Sequence, residues 1–215
     1  MKHTVTGLFF VLLFIAVASV AITADEDTMT ITYCDGSEQV IRLKQAKCNI
    51  KSLEFSCEDA GSTGFGGTTY SEGALKGNIY FLPTSTSRLP DFSRITPVGT
   101  IYAKHLNIPP QDFTKGFPGV TNRFEWFAIR YTGTFTVSRS GNYAFRLVSD
   151  DGSRLYIDNR LVIDNDGTHP ARSAQGNVNL TPGTHNIRVE YFQGPRTQVA
   201  LQFFVTPPGE RERIF

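Results

Sequence analysis

The chain carries almost no excess charge. Its 21 Lys and Arg offset 20 Asp and Glu to a formal net charge of +1, and no segment concentrates the basic residues. That balance excludes a surface built to track nucleic-acid phosphates. Methionine occurs twice and tryptophan once, against 17 Phe and 8 Tyr. Few Met and many aromatics favour packed strands over helices. Beyond residue 24 no stretch shows a 3.6-residue apolar period, so amphipathic helices are not expected. Catalytic signatures are missing as well. There is no His-Glu-x-x-His, no Gly-x-Ser-x-Gly and no zinc-type cysteine pairing. After the N-terminal segment the histidines are His105, His169 and His185. A binding protein is expected, not an enzyme.

What is present at the N-terminus indicates a compartment. Lys2 precedes a nearly unbroken apolar run from Gly7 to Ala21. Small residues follow at Ser19, Ala21 and Ala24, then the acidic cluster Asp25-Glu26-Asp27. Residues 1–24 read as a secretory signal peptide cleaved after Ala21 or Ala24, with an uncleaved anchor as the rival. The run is shorter than the ~20 residues of a spanning helix. The expected location is secreted, periplasmic or cell surface. Cys34, Cys48 and Cys57 are the three cysteines. If the segment between Cys48 and Cys57 is one strand, its ends lie about 30 Å apart, beyond the ~7 Å that a disulfide spans. Cys34–Cys57 is the better pairing, and three buried thiols an equal alternative.

The rest divides by composition. Residues 25–57 form a small unit of three strands: Met29 to Tyr33, Gln39 to Leu43 after the Asp35-Gly36 turn signal, and a third running to Cys57. Residues 58–73 are rich in Gly, Ser and Thr, which is linker composition. From residue 74 to 206 the apolar residues alternate. Phe127, Ile129, Tyr131, Phe135 and Val137 share one parity. So do Tyr143, Phe145 and Leu147, then His185, Ile187, Val189 and Tyr191, then Val199, Leu201, Phe203 and Val205. Period-two strands separated by turn signals such as Ser140-Gly141, Asp151-Gly152 and Pro182-Gly183 predict an all-β, antiparallel sandwich. Residues 103–123, with Pro109-Pro110, read as a long ordered loop, and residues 207–215 as a tail. Asp164-Asn165-Asp166-Gly167 reads as a hairpin turn, and Asn179-Leu180-Thr181 as a strand end despite its sequon pattern. Phe124 and Trp126 fall on the outward parity. Either a neighbouring segment covers them, or Trp126 is a stacking platform for a sugar ring.

The run Ser149-Asp150-Asp151-Gly152-Ser153-Arg154-Leu155-Tyr156-Ile157-Asp158 resembles the PA-fourteen domain family, named after the anthrax protective antigen. Gly141-Asn142-Tyr143-Ala144-Phe145, Leu161-Val162-Ile163-Asp164 and Gly183-Thr184-His185-Asn186-Ile187 fit the same pattern over about residues 74–206. The resemblance implies a β-sandwich that recognises glycans. In the flocculin branch, two consecutive Asp residues joined by a cis peptide hold a calcium ion that contacts sugar hydroxyls. Asp150 and Asp151 match those residues. The third ligand of that branch is an Asn on a later loop, where this chain has Gln193, with Arg196 close by. The expected metal ligands are Asp150, Asp151 and Gln193, and the expected ligand-binding residues are Asp150, Asp151, Trp126 and Arg196. The function implied is a secreted or cell-surface glycan-binding or adhesion module using calcium, its partners glycans or glycoconjugates and other surface proteins. The alternative is a non-catalytic structural or assembly subunit of an extracellular or cell-envelope complex, exposing an apolar patch near Phe124, Trp126 or the 103–123 loop.

Overall fold

The computed structural model describes residues 64–196 and 198–215 in full, together with the backbone of four strands between Ala21 and Glu54. The chain forms two compact units, residues 1–60 and 61–215. In the first unit, β1 (Ala21–Asp25), β2 (Thr28–Thr32), β3 (Glu38–Arg42) and β4 (Leu53–Glu54) make one antiparallel sheet in the order β3-β2-β1-β4. The sheet has four strands where the sequence pattern predicts three. The extra strand, β1, comes from the end of the segment read as a signal peptide; Ala21-Ile22-Thr23-Ala24 pairs in register with Met29 to Thr32. The three cysteines and residues 1–20 lie outside the described residues.

The second unit is a sandwich of antiparallel sheets. Its strands are β5 (Leu75–Phe81), β6 (Gly99–Ala103), β7 (Asn107–Asp112), β8 (Phe127–Val137), β9 (Gly141–Asp150), β10 (Ser153–Ile157), β11 (Arg160–Asn165), β12 (Arg172–Leu180), β13 (Gly183–Gln193), β14 (Gln198–Thr206) and β15 (Arg213–Ile214). One sheet runs β11-β10-β13-β8-β5-β6. The other runs β12-β9-β14-β15, with β7 also paired to β14. The alternation is visible in the burial: Phe127, Ile129, Tyr131 and Val137 are buried and Thr132, Thr134 and Thr136 exposed. One core joins both sheets, from Ile79 and Ile101 on one side to Phe145, Leu147 and Phe203 on the other. Burying such side chains stabilises by roughly 1.5–3 kcal/mol each.

Three expectations change. Residues 64–73 are not linker. Phe65 is fully buried, and Gly67 exchanges backbone hydrogen bonds with Tyr102. The tail is not a tail either: β15 pairs with β14, and the Phe215 ring lies 4.5 Å from that of Phe203. The 103–123 loop contains β7, whose Ile108 is fully buried opposite Leu201. Pro109 and Pro110 are tolerated there because β7 pairs with β14 alone and the register slips between Val199 and Leu201, leaving no ladder bond for a missing N–H to break.

At one end of the sandwich His185 is clasped between Asp158 Oδ2 at 2.6 Å and the Thr181 carbonyl at 2.8 Å. The hydrogen bond to Asp158 raises the His185 pKa from its usual 6.5, and the same bond lowers that of Asp158. A raised His contributes stability below its unfolded pKa and loses it as pH rises through the folded value. A lowered Asp contributes above its unfolded pKa and loses it as pH falls. The pair therefore works between those limits. His185→Gln is expected to lower the melting temperature most near pH 5 and least above pH 8, measured by calorimetry across that range.

Candidate functional site

β9 belongs to one sheet and β10 to the other, so the chain changes sheets between Asp150 and Ser153. The Asp150–Asp151 peptide bond is cis. Gly152 follows because nothing larger fits. A Cβ there would stand 2.5 Å from Phe192 Cε1 and 2.9 Å from Asp166 Oδ1. Behind the turn a buried polar network ties the sheets together. Ser149 and Ser153 share a hydroxyl hydrogen bond of 2.7 Å, Asn165 Nδ2 donates to Ser149 Oγ at 2.9 Å, and Arg172 Nε donates to Asn165 Oδ1 at 2.8 Å. Every buried side-chain atom in that set has a partner, which fixes the turn from below.

Asp151 is buried and held at both oxygens. Oδ1 accepts the His169 backbone N–H at 3.0 Å, and Oδ2 accepts that of Gly194 at 2.7 Å. Asp150 is half-buried, and its carbonyl accepts the Tyr191 hydroxyl at 2.5 Å. Burial, then the Asp151 charge, push the Asp150 carboxyl up to about 6, against the backbone N–H of Ala171 and the charge of His169. Burial also raises Asp151, against the Gly194 and His169 N–H groups. The two carboxylates thus share one partly desolvated space, which a cation would relieve. His169 is the nearby basic group. Its ring nitrogens face the Asn165 and Pro170 carbonyls, each at 2.9 Å.

The segment carrying His169 is not the hairpin turn that Asp164-Asn165-Asp166-Gly167 predicts. It crosses from β11 to β12 in the opposite sheet, and so delivers the His169 N–H to Asp151. The loop after β13 supplies the other clamp. Gln193 is engaged inside that loop rather than offered to an ion. Its side-chain oxygen lies 2.7 Å from the Tyr191 hydroxyl, whose one proton it shares with the Asp150 carbonyl, and its amide nitrogen donates to the Pro195 and Gln198 carbonyls at 3.0 and 3.1 Å. Arg196 is exposed, its backbone N–H bound to Glu125 Oε2 at 3.1 Å.

Trp126 adjoins the pair. Its backbone has φ of 54°, its N–H donates to the Gly194 carbonyl at 2.9 Å, and its Cζ3 atom would lie 3.6 Å from a Cβ at Gly194. The indole is half-buried against a cluster that includes Leu82, Phe92 and Phe192. Phe124 packs against the main core. The structure therefore gathers Asp150, Asp151, Trp126 and Arg196 around one loop and turns Gln193 inward. His169, Gly194, Tyr191 and Glu125 are not among the site residues expected from the sequence, where Tyr191 is marked by its inward parity.

The donors offered are hard oxygens, which suits calcium, an ion that takes six to eight oxygens. Among the described residues no group of three or more His, Cys, Asp and Glu converges, so two carboxylates would have to be completed by carbonyls and ligand oxygens.

A two-sheet sandwich with a clamped acidic turn at its rim defines a β-sandwich domain whose distinctive chemistry sits on loops. The sequence profile of the PA14 domain matches residues 76–214, and the chain belongs to that family. The anti-sigma-I factor RsgI3 of Acetivibrio thermocellus is 29% identical over 104 residues, 48% of this chain and 16% of that protein. An alpha-agarase of Thalassotalea agarivorans is 46% identical over 59 residues, 27% of this chain and 4% of the enzyme. The chain thus spans less than a fifth of the curated relatives it matches. Among solved structures, the PA14 sugar-binding domain of an RTX adhesin shares the fold, with a TM-score of 0.56 at 19% identity, covering 67% of this chain and 96% of that one.

Proposed function

We propose that the chain is an extracellular or cell-surface glycan-binding module, and that Asp150 and Asp151 hold a calcium ion through which sugar hydroxyls are recognised. The observation that carries this reading is the pair of adjacent carboxylates at the turn between the sheets, both raised in pKa by burial and the first also by the charge of the second. Bound calcium would supply open coordination positions for vicinal hydroxyls. The protein's own part is to fix Asp151 by two backbone N–H groups and Asp150 by the Tyr191 hydroxyl. Trp126 lies beside Gly194, where its indole edge would meet a sugar ring, and the exposed Arg196 stands at the loop's outer end. The family membership and the likeness to a domain named as sugar-binding support the ligand class. Binding rather than catalysis is the role inferred.

Calcium titration by calorimetry tests this. Saturable binding is expected at pH 7.5, weakened at pH 5.5 as protons compete for a carboxyl with a pKa of about 6. Acidification is also expected to stabilise the calcium-free protein. A folded pKa above the unfolded value adds stability at low pH and loses it as pH rises. No binding at millimolar calcium, or binding indifferent to that pH change, would overturn the reading. A glycan array with and without chelator then identifies the sugar.

A further inference from the structure

Edge strands leave N–H and C=O groups unpaired, and these are templates for another chain unless something blunts them. Five strands stand at edges in the sandwich, and four are blunted. β15 is two residues long. β7 carries Pro109 and Pro110. β6 is bridged by Gly67, which exchanges both backbone hydrogen bonds with Tyr102. β11 slips register against β10 and carries Arg160 and Asp164. β12 has none of these devices. Its nine residues, Arg172–Leu180, pair with β9 in unbroken register, with no proline and no charge beyond Arg172. At about 3.3 Å per residue the edge is roughly 30 Å long.

β11 approaches β12 without closing that edge. The two strands belong to different sheets and are not paired. A Cβ on Gly176 would stand 2.1 Å from the Val162 carbonyl oxygen. Gly176 shares its parity with Ala174 and Val178, which pack against the core, so that Cβ would point inward. β11 therefore lies beneath β12 rather than beside it. Among the described residues no backbone hydrogen bond closes the outer edge, and one side chain, Asn165 Nδ2, reaches the Arg172 carbonyl at 3.5 Å. The outward face holds Ser173, Gln175, Asn177 and Asn179, all exposed.

We infer that β12 pairs with β12 of a second copy of this chain, antiparallel about a two-fold axis at Gly176, joining two sheets into one. The strand's own sequence argues for this occupant. In that register Gln175 of each copy faces Asn177 of the other, Ser173 faces Asn179, and Ala174 faces Val178. Amides and hydroxyls meet on the outer face, and a small side chain meets a larger one on the inner face. About four of the nine residue pairs exchange backbone hydrogen bonds. The one charge, Arg172, falls opposite Leu180. The two Arg172 residues stand at opposite ends of the pairing, about 26 Å apart, well beyond the ~8 Å screening length. A foreign strand would need pockets for its alternate side chains, whereas this face complements itself. The inference uses none of the proposed calcium ligands and does not rest on the function proposed above.

Sedimentation velocity of the full chain at rising concentration, with chelator and reductant present, tests this. A dimer with a Kd in the micromolar range is expected, as for a small interface. Gln175→Lys combined with Asn177→Lys sets two like-charged pairs across the axis. It is expected to weaken the dimer by about tenfold or more, with the melting temperature of the dilute protein unchanged. Gln175→Lys combined with Asn177→Glu sets opposite charges across the same axis and is expected to restore the dimer. A chain that stays monomeric overturns the inference. So does a dimer indifferent to the two lysines, which would lie elsewhere on the molecule, and so does failure of the opposite-charge variant to restore it.

Discussion

Asp151→Ala is expected to destabilise the domain by about 2–4 kcal/mol, because the buried N–H groups of His169 and Gly194 each lose their acceptor. In a domain of this size that lowers the melting temperature by roughly 5–15 °C. Asp150→Asn should behave differently. Its carboxyl is raised in pKa, so the charge works against the calcium-free fold at neutral pH, and removing it should leave the melting temperature unchanged or higher. Both variants are expected to lose calcium binding. The contrast separates two roles that adjacent identical residues would otherwise confuse. On this reading Asp151 serves both the architecture and the proposed calcium site, and Asp150 the proposed site alone. The test is thermal melting of both variants without calcium, followed by calcium titration. Equal destabilisation would show that the clamps on Asp151 contribute little. Retained calcium binding in both would remove the pair from any metal site.

The sequence made this contrast impossible to foresee. Both residues occupy one motif, and the sequence pattern treats them alike. What distinguishes them arrives from far along the chain: His169 is 18 residues away and Gly194 is 43. Strand parity, in contrast, is a local property. Each strand of the sandwich buries one face, so the alternation of Phe127, Ile129 and Tyr131 announces its own inward side. The acidic turn is legible through its resemblance to a family motif, not through periodicity. Gln193 illustrates the limit of position matching. It occupies the right loop, yet Tyr191 and two carbonyls take up its amide. Composition misled where one residue matters more than its neighbours. Gly64-Phe65-Gly66-Gly67 has linker chemistry, with positive φ at Gly64 and Gly66, but those glycines serve to pass Phe65 into the core. A Cβ at Gly66 would sit 2.4 Å from the Tyr102 carbonyl oxygen.

Phe65→Ala is therefore expected to cost about 3–5 kcal/mol, the range for deleting a buried aromatic side chain. The Phe65 ring touches Phe113, Phe117, Phe127 and Tyr191, with centroids 5.2 to 5.9 Å away. Its carbonyl also accepts the buried Tyr131 hydroxyl at 2.6 Å. A fragment starting at residue 74, where the sequence pattern of the sandwich begins, loses the ring and orphans that hydroxyl, and should fare worse than the point variant. A fragment starting at residue 61 should melt like the intact sandwich. The effect is expected to reach the site as well. Tyr191 packs its ring on Phe65 and holds the Asp150 carbonyl with its hydroxyl, so a cavity at position 65 loosens the support beneath the acidic turn. Melting curves of the two fragments and of Phe65→Ala, with calcium titration of the variants that remain folded, decide the matter. Indistinguishable fragments would return residues 64–73 to the status of a linker. A destabilised Phe65→Ala with full calcium affinity would confine Phe65 to the core and leave Asp150 supported by the Ser149–Ser153–Asn165 network instead.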